Sequence, residues 1–169
     1  MIIYAIDPGT EMSAVVQYDT STRKILEAEQ VENEELLCQI YTHPENKTSS
    51  NIVLGIEMVA SYGMAVGKTV FETVYWIGRF VEAANNAGWK SYRVFRQDIK
   101  LFLCNSVRAK DANIRQAIID RFPPVGEGKT PQIGTKNKPG LLYGIKSHSW
   151  SALAVALYLE NKLSKEEVK

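Results

Sequence analysis

Residues 2–10, IIYAIDPGT, decide the fold of this chain. An apolar run leads directly to Asp7, and the chain then turns at Pro8-Gly9. A short apolar run closed by a turn is typical of a strand that is buried on both faces of a sheet. A buried carboxylate is costly unless a charged group meets it, which favours a role for Asp7 in holding a metal ion or a phosphate. Asp-Pro-Gly is also good turn chemistry on its own, and that alternative stays open at this point.

A second stretch repeats this pattern. Residues 51–57, NIVLGIE, predict another buried strand that ends on a single acid, Glu57. If the two strands are neighbours in the sheet, Asp7 and Glu57 converge at one of its edges. We therefore expect a cluster of acidic side chains in this protein and not an isolated turn.

Length and composition are those of an ordinary globular protein. The chain has 169 residues, of which 45% are hydrophobic and 23% charged, and this predicts one domain with a real core. A formal net charge of +1 neither suggests nor excludes a nucleic-acid partner. Cys38 and Cys104 stand far apart and form no paired motif, which fits a reducing compartment. We recognise no secretory leader and no apolar run of membrane-spanning length, so we expect a cytoplasmic protein with no membrane partner.

The order of the predicted elements describes an α/β layer with a mixed sheet. Three strands open the chain and form an antiparallel meander, at 2–7, 12–18 and 24–31. Further strands follow at 51–57 and 90–95, and helices at 34–41, 66–84, 98–103, 111–122 and 147–162. Residues 123–146 have no periodicity and predict a long surface loop. The helix over 66–84 has a predicted core face of Val66, Val70, Val74, Ile77 and Val81.

Three motifs in this order resemble the RuvC family of Holliday junction resolvases. They are Asp7 in IDPGT, Glu57 in GIEMV, and the last helix with the sequence HSWSALAVA from His148. The resemblance spans residues 2 to about 159 and is greatest to the resolvase-type proteins that bacteriophages encode. It implies an RNase H-like three-layer fold, with a five-stranded mixed sheet (a three-strand meander, then βαβ) flanked by helices. A single nuclease domain would cover residues 1–163, followed by a charged tail at 164–169.

The resemblance also implies a chemistry. These proteins hydrolyse phosphodiester bonds in Holliday junctions and other branched DNA, in recombination and repair, with two Mg²⁺ or Mn²⁺ ions at each site. Asp7, Glu57 and His148 would be both the catalytic residues and the metal ligands. Asp7 would hold both ions and Glu57 one of them, and His148 would ligate a metal or act as an acid or base. A nitrogen ligand shifts the preference toward manganese.

The chain departs from the family pattern at one ligand. The family's last two ligands lie three residues apart on the final helix, where they share a face. The first is His148 here, but the second, usually Asp, is Ser151. A loss of that acid favours an alternative function, a protein that binds branched DNA with weak or no nuclease activity. His148 alone is also compatible with a helix-terminal histidine that has no role.

Two further alternatives come from related folds. An RNA-processing nuclease of the same fold would show the same residues. An ATP-binding protein is also an alternative, since Asp-Pro-Gly-Thr is similar to the phosphate loop of sugar kinases and actin-like ATPases. Those proteins close a second, similar domain over the nucleotide, and 169 residues leave no room for one. We therefore expect no nucleotide cofactor.

The expected partners are branched DNA and a second copy of the chain. Basic residues near the predicted metal end of the sheet, with one aromatic residue, are candidates for DNA binding: Tyr62, Lys100, Arg108, Lys110, Arg115 and Lys146. For any single lysine, a solvated surface is the simpler interpretation. The resemblance implies a homodimer, and Phe71, Tyr75 and Trp76 on the helix over 66–84 mark its candidate interface. The expected location is the cytoplasm of a bacterium or of a phage-infected host cell.

Overall fold

The structure is a computed structural model that describes residues 1–44, 51–61, 63 and 65–167, the last without its side chain. Its elements follow the predicted order closely. They are β1 (Ile2–Asp7), β2 (Met12–Asp19), β3 (Lys24–Glu32), α1 (Asn33–Thr42), β4 (Ile52–Met58), α2 (Lys68–Asn86), β5 (Lys90–Phe95), α3 (Arg96–Cys104), α4 (Asp111–Ile119) and α5 (Ser149–Glu167).

The strands form the mixed five-stranded sheet that the sequence predicts, in the order β3-β2-β1-β4-β5. The meander β1-β2-β3 is antiparallel, whereas β4 pairs parallel to β1 and β5 parallel to β4. β1 is the central strand, and Ile3 to Ile6 are completely buried. A strand covered on both faces reads as an unbroken apolar run, which explains why the opening stretch is so informative.

Helices cover both faces of the sheet and make three layers. Successive side chains of a strand point to opposite faces. Tyr4 and Ile6 of β1 therefore lie in the core that α1 and α2 close, while Ile3 and Ala5 lie in the core that α3, α4 and α5 close. α5 is the central helix of its layer, and its residues 152–157 are all buried.

Gly55 lets α5 approach β4 closely. A Cβ atom at this position would lie 3.0 Å from Leu159 Cδ2 and 3.1 Å from Val155 Cγ1. Real Cβ contacts are rarely that short, so a larger residue would push the helix away from the sheet. The distance between β4 and α5 thus depends on the glycine inside the GIE motif.

The predicted core face of α2 is wrong in its first half. The helix begins at Lys68, not at 66, and Val66 and Val74 are 43% and 44% exposed. The residues of α2 that are buried all lie in its second half: Ile77, Phe80, Ala83 and Ala84. Because only that half packs on the sheet, the valine periodicity upstream has no core to face.

α5 is longer than predicted and shifted along the chain. It runs from Ser149 to Glu167, so most of the predicted tail at 164–169 is helical, and residues 168–169 lie outside the described part. α4 ends at Ile119 and not at 122. Within the described residues, no helix has an apolar stretch of the length needed to cross a lipid bilayer.

Residues 123–146 form a loop, as predicted, but part of it belongs to the core. Among the described elements it contributes only an isolated bridge between Gly134 and Pro139. Leu142 and Ile145 are nevertheless 0% and 7% exposed and pack with α5. The backbone folds back so tightly that a Cβ at Gly140 would lie 2.2 Å from the Gln132 carbonyl oxygen. The loop therefore holds its shape through backbone contacts and two anchoring side chains.

We predict that Leu142→Ala destabilises the protein far more than the same change on the surface. Removing a completely buried leucine should lower the free energy of unfolding by about 2–5 kcal/mol, because a cavity remains. The matched control is Leu101→Ala, at a side chain that is 48% exposed, for which about 0.5 kcal/mol or less is expected. Urea denaturation measures both values, and equal losses would show that the loop does not contribute to the core.

Candidate active site

The two predicted acids meet at one edge of the sheet. The parallel register pairs Ile6 of β1 with Ile56 of β4, so Asp7 and Glu57 are the next residues of their strands. The alternation that places Ala5 and Val53 in the α5 layer points both carboxylates toward that same layer. The repeated strand pattern thus correctly predicts the convergence of these two side chains.

A buried hydrogen-bond network holds the turn after Asp7. The Ser13 hydroxyl donates to Asn33 Oδ1 at 2.7 Å, and both side chains are 1% exposed. The Gly9 N–H donates to Ser13 Oγ at 3.2 Å, and Asn33 Nδ2 donates to the Gly9 carbonyl at 3.1 Å. A Cβ at Gly9 would lie 2.2 Å from the Met12 carbonyl oxygen. The Asp-Pro-Gly turn therefore orients Asp7 rigidly.

His148 reaches Asp7 from the start of α5. Its carbonyl accepts hydrogen bonds from the N–H groups of Ser151 (2.9 Å) and Ala152 (3.2 Å), so it immediately precedes the helix. Its Nδ1 lies 3.2 Å from Asp7 Oδ2. The His148 side chain is 68% exposed, whereas that of Asp7 is 19% exposed. The exposed histidine thus contacts an acid that is mostly covered by the protein.

Arg96 is the site residue that sequence reasoning missed. It opens α3 directly after β5, and its Nη1 lies 3.3 Å from Glu57 Oε2 and 3.3 Å from Ser151 Oγ. Its Nη2 donates to Asp111 Oδ1, an acid that the sequence suggests only as a partner of the helix dipole. One signal could have found Arg96: it follows the third parallel strand, whose carboxyl end meets the same edge of the sheet as Asp7 and Glu57.

Burial raises the pKa of both central acids. It raises the pKa of Glu57 to about 7, an effect that the Arg96 charge opposes and the Asp7 charge reinforces. The pKa of Asp7 is raised by burial too, against the opposing effects of His148 and Arg96. The positive charges of the neighbouring side chains therefore do not fully compensate for the burial of these two carboxylates. A bound cation would favour their ionised forms.

Asp7 and His148 are the described residues that could hold a divalent ion here. Among the described residues, no three His, Cys, Asp or Glu side chains form a metal-binding group, and Glu57 contacts Arg96. A carboxylate oxygen and an imidazole nitrogen 3.2 Å apart suit one ion that completes its shell with water and substrate oxygens. Magnesium is commonly held in this way, through one or two carboxylates and a phosphate.

A cavity of about 430 Å³ adjoins these residues. Arg96, Asp111, His148 and Ser151 line it. Arg115 lies in the same wall, with its guanidinium 4.7 Å from the ring centroid of Trp150. Its α4 wall carries both the acidic Asp111 and the basic Arg115, with the apolar Ala112 and Ile114 beside them.

None of the other candidate DNA-binding residues that the structure describes lines this cavity. Lys110 is the residue before α4, and Lys146 lies two positions before His148; both are exposed. Arg108 is exposed in the connection between α3 and α4, and Lys100 is half-buried on α3, without a described contact to the site. Tyr62 lies outside the described residues. Their role in binding stays a prediction.

Comparison with known proteins identifies the fold. The chain matches no family model and no curated protein sequence. It is similar to the structure of RuvC from Thermus thermophilus, with a TM-score of 0.65 and 17% identity over 94% of this chain and 92% of that one. The same protein in complex with a Holliday junction substrate gives a TM-score of 0.63 and 16% identity, with the same coverage. The predicted RNase H-like fold is confirmed, whereas a special likeness to bacteriophage proteins stays a prediction.

We predict that metal-free protein loses stability as the pH rises from about 4.5 to 7. Between the ordinary pKa of Glu57 and its folded value of about 7, the unfolded chain has released a proton that the folded chain still binds. The free energy of unfolding should therefore fall with rising pH, by roughly 1–3 kcal/mol. Denaturant titrations in EDTA at several pH values measure this slope.

The substitution Glu57→Gln should reduce the slope, because the variant has no carboxyl group to ionise there. A residual slope from Asp7 is expected, since its pKa is also raised. Glu82→Gln, at an exposed position of α2, is the control and should leave the slope unchanged. If Glu57→Gln has the wild-type slope, the assignment of the high pKa to Glu57 is wrong.

Proposed function

We propose that this protein is a divalent-metal-dependent endonuclease that cleaves Holliday junctions and other branched DNA. One observation carries the proposal: His148 lies 3.2 Å from Asp7, beside the half-buried Glu57, at the sheet edge where both acidic strands end. The fold supports it, because a protein with this fold has been seen in complex with a Holliday junction substrate. The proposed setting is DNA recombination or repair in the cytoplasm of a bacterium or a phage-infected cell.

The proposed reaction is hydrolysis of a phosphodiester. A divalent ion held by Asp7 and His148 would supply the Lewis acidity that activates water and phosphate. Glu57, a largely covered carboxylate beside Asp7 whose pKa burial raises, would serve as the base that takes a proton from the attacking water. Arg96 and Arg115 face the same cavity and would attract the phosphate that enters it. One water molecule would be consumed: its oxygen would bond to phosphorus as the bond from phosphorus to one sugar oxygen breaks, and that sugar oxygen would leave as a hydroxyl after it gains a proton.

The proposed protein is a homodimer, because two symmetric nicks across a junction require two active sites. The first half of α2 supports this. Phe71 and Tyr75 are 63% and 61% exposed, and Trp76 lies beside Tyr75 with ring centroids 5.7 Å apart. A groove that also includes Thr10 and Glu11 follows this surface. An aromatic surface of this kind is typical of an interface between protein chains.

A second candidate function is a branched-DNA-binding protein without nuclease activity. Ser151 and the contact between Arg96 and Glu57 favour it, because both reduce the number of oxygens that are free to bind metal. The two functions share the fold and the DNA surface and differ only in chemistry. A cleavage experiment therefore separates them.

We predict that the wild-type protein nicks a synthetic four-way junction in pairs, in Mg²⁺ or Mn²⁺, and leaves linear duplex uncut. Asp7→Asn should reduce cleavage by about a hundredfold or more, because it removes a charged group from the reaction centre. Binding of the junction should change little. Gel assays of nicking, with a mobility-shift assay for binding, measure the two effects.

Asp98→Asn is the matched control for that experiment. Asp98 lies on α3, next to Tyr158 and Lys162 of α5 and away from His148. The Asp98→Asn variant should cleave like the wild type. Tight junction binding without nicks in either metal would establish the second candidate, and cleavage by Asp7→Asn at the wild-type rate would refute the site assignment.

We predict that Arg115→Ala weakens junction binding and makes it less dependent on salt. Loss of one phosphate contact should reduce the slope of log K against log salt concentration by about 1. Arg121→Ala is the control, because Arg121 also lies over an aromatic ring, 4.5 Å from the centroid of Phe102. It lies beside Glu160 and Asn161, far from the cavity, and its removal should leave the slope unchanged. Equal slopes for both variants would exclude Arg115 from the DNA path.

A further inference from the structure

We propose that the Arg96 guanidinium takes the place of a second metal ion, so that this site binds one divalent ion and not two. The inference rests on the proposed function, because it concerns the same Asp7–His148 site. It differs from what the resemblance of the sequence implies, which is two ions at each site.

Arg96 already contacts the oxygens that a second ion would need. Its nitrogens lie within hydrogen-bond distance of Glu57 Oε2, Ser151 Oγ and Asp111 Oδ1. These three oxygens come from β4, α5 and α4, and all three lie around the guanidinium; the Ser151 side chain also forms a hydrogen bond with Asp7. Magnesium and manganese prefer just such oxygen ligands. A second ion near Glu57 would have to displace the arginine from this set of contacts.

The charges of the contacting groups also favour a single ion. Arg96 contacts Glu57 and Asp111 and offsets one of the three carboxylate charges of Asp7, Glu57 and Asp111. The two negative charges that these four side chains leave match one divalent ion, and Arg115 in the same cavity wall adds further positive charge. A second divalent ion beside the guanidinium would leave an excess of positive charge in a partly buried site. Like charges repel strongly there, because solvent screens them little.

Arg96 is suited to a permanent position in the site. Its side chain is 23% exposed, and a guanidinium stays protonated at any physiological pH. Its planar fork can hold carboxylates and still present N–H groups to a phosphate. Arg96 also borders the 430 Å³ cavity. The positive charge that a second ion would bring to the reacting phosphate is therefore built into the chain.

Replacement of the acid at position 151 by serine fits the same explanation. Ser151 accepts a hydrogen bond from Arg96 at 3.3 Å. A carboxylate at this position would be an additional anionic ligand, and a hydroxyl is not one. The serine and the arginine thus act together: one removes a metal ligand and the other supplies the charge.

The test counts bound Mn²⁺ in the absence of DNA. Electron paramagnetic resonance measures the free ion, and the bound ion is the difference between total and free Mn²⁺. We expect one Mn²⁺ per wild-type chain and none for Asp7→Asn. Two ions per wild-type chain would overturn the proposal, and so would none. Because this measurement uses the wild-type protein, it does not depend on whether a variant folds.

Variants at two positions test the role of Arg96 itself. The double variant Arg96→Met with Ser151→Asp removes the guanidinium and restores an acid, and we expect it to bind two Mn²⁺. Ser151→Asp alone is the matched control; because it keeps Arg96, it should bind one. Circular dichroism verifies the fold of each variant. One ion in the folded double variant, or two in Ser151→Asp alone, would refute the role of Arg96.

The result can be separated from that of the proposed function. A wild-type chain that binds one Mn²⁺ and fails to nick junctions would refute the nuclease and leave the inference on ion number intact. A chain that nicks junctions and binds two ions would refute only the inference.

Discussion

The parallel pairing of β1 with β4 is the constraint on which the rest of the site depends. It places Ile6 beside Ile56, so the next residue of each strand, Asp7 and Glu57, reaches the same edge and the same face. α5 can lie against that face because Gly55 leaves room for it. The start of α5 then carries His148 to Asp7. A shift of one residue in this pairing would turn one carboxylate to the opposite layer.

The site holds two carboxylates in a partly buried place, and their burial lowers the stability of the folded protein when they are ionised. Burial raises the pKa of Asp7 and Glu57, so folding alone does not favour their ionised forms. The positive charge of Arg96 offsets part of this cost at both Asp7 and Glu57. The fold thus gives up some stability to hold two acids in this place, a compromise that is common at functional sites. The rigid turn at Gly9 and the buried pair Ser13–Asn33 keep the arrangement in place.

The sequence predicted the strands well because central strands carry their own signal. The continuous apolar runs before Asp7 and Glu57 are readable without any partner. The features that the sequence did not predict correctly all depend on packing between distant parts of the chain. Val66 and Val74 look like a core face, but α2 extends past the sheet there. Leu142 sits in a loop without periodicity, and only contacts with distant helices bury it. Sequence reasoning did not single out Arg96, since no residue near it in the chain indicates that Glu57, Ser151 and Asp111 surround it.

The sequence by itself determined the order of the elements, the mixed sheet and the two acids at strand ends. These depend on local apolar patterning and on turn chemistry, which any reader of the chain can see. Only the tertiary structure decided that His148 meets Asp7 and that Arg96 stands between Glu57, Ser151 and Asp111. Those contacts join residues from β1, β4, α3, α4 and α5 that lie tens of positions apart. Their geometry follows from the packing of whole layers, and no short stretch of sequence encodes it.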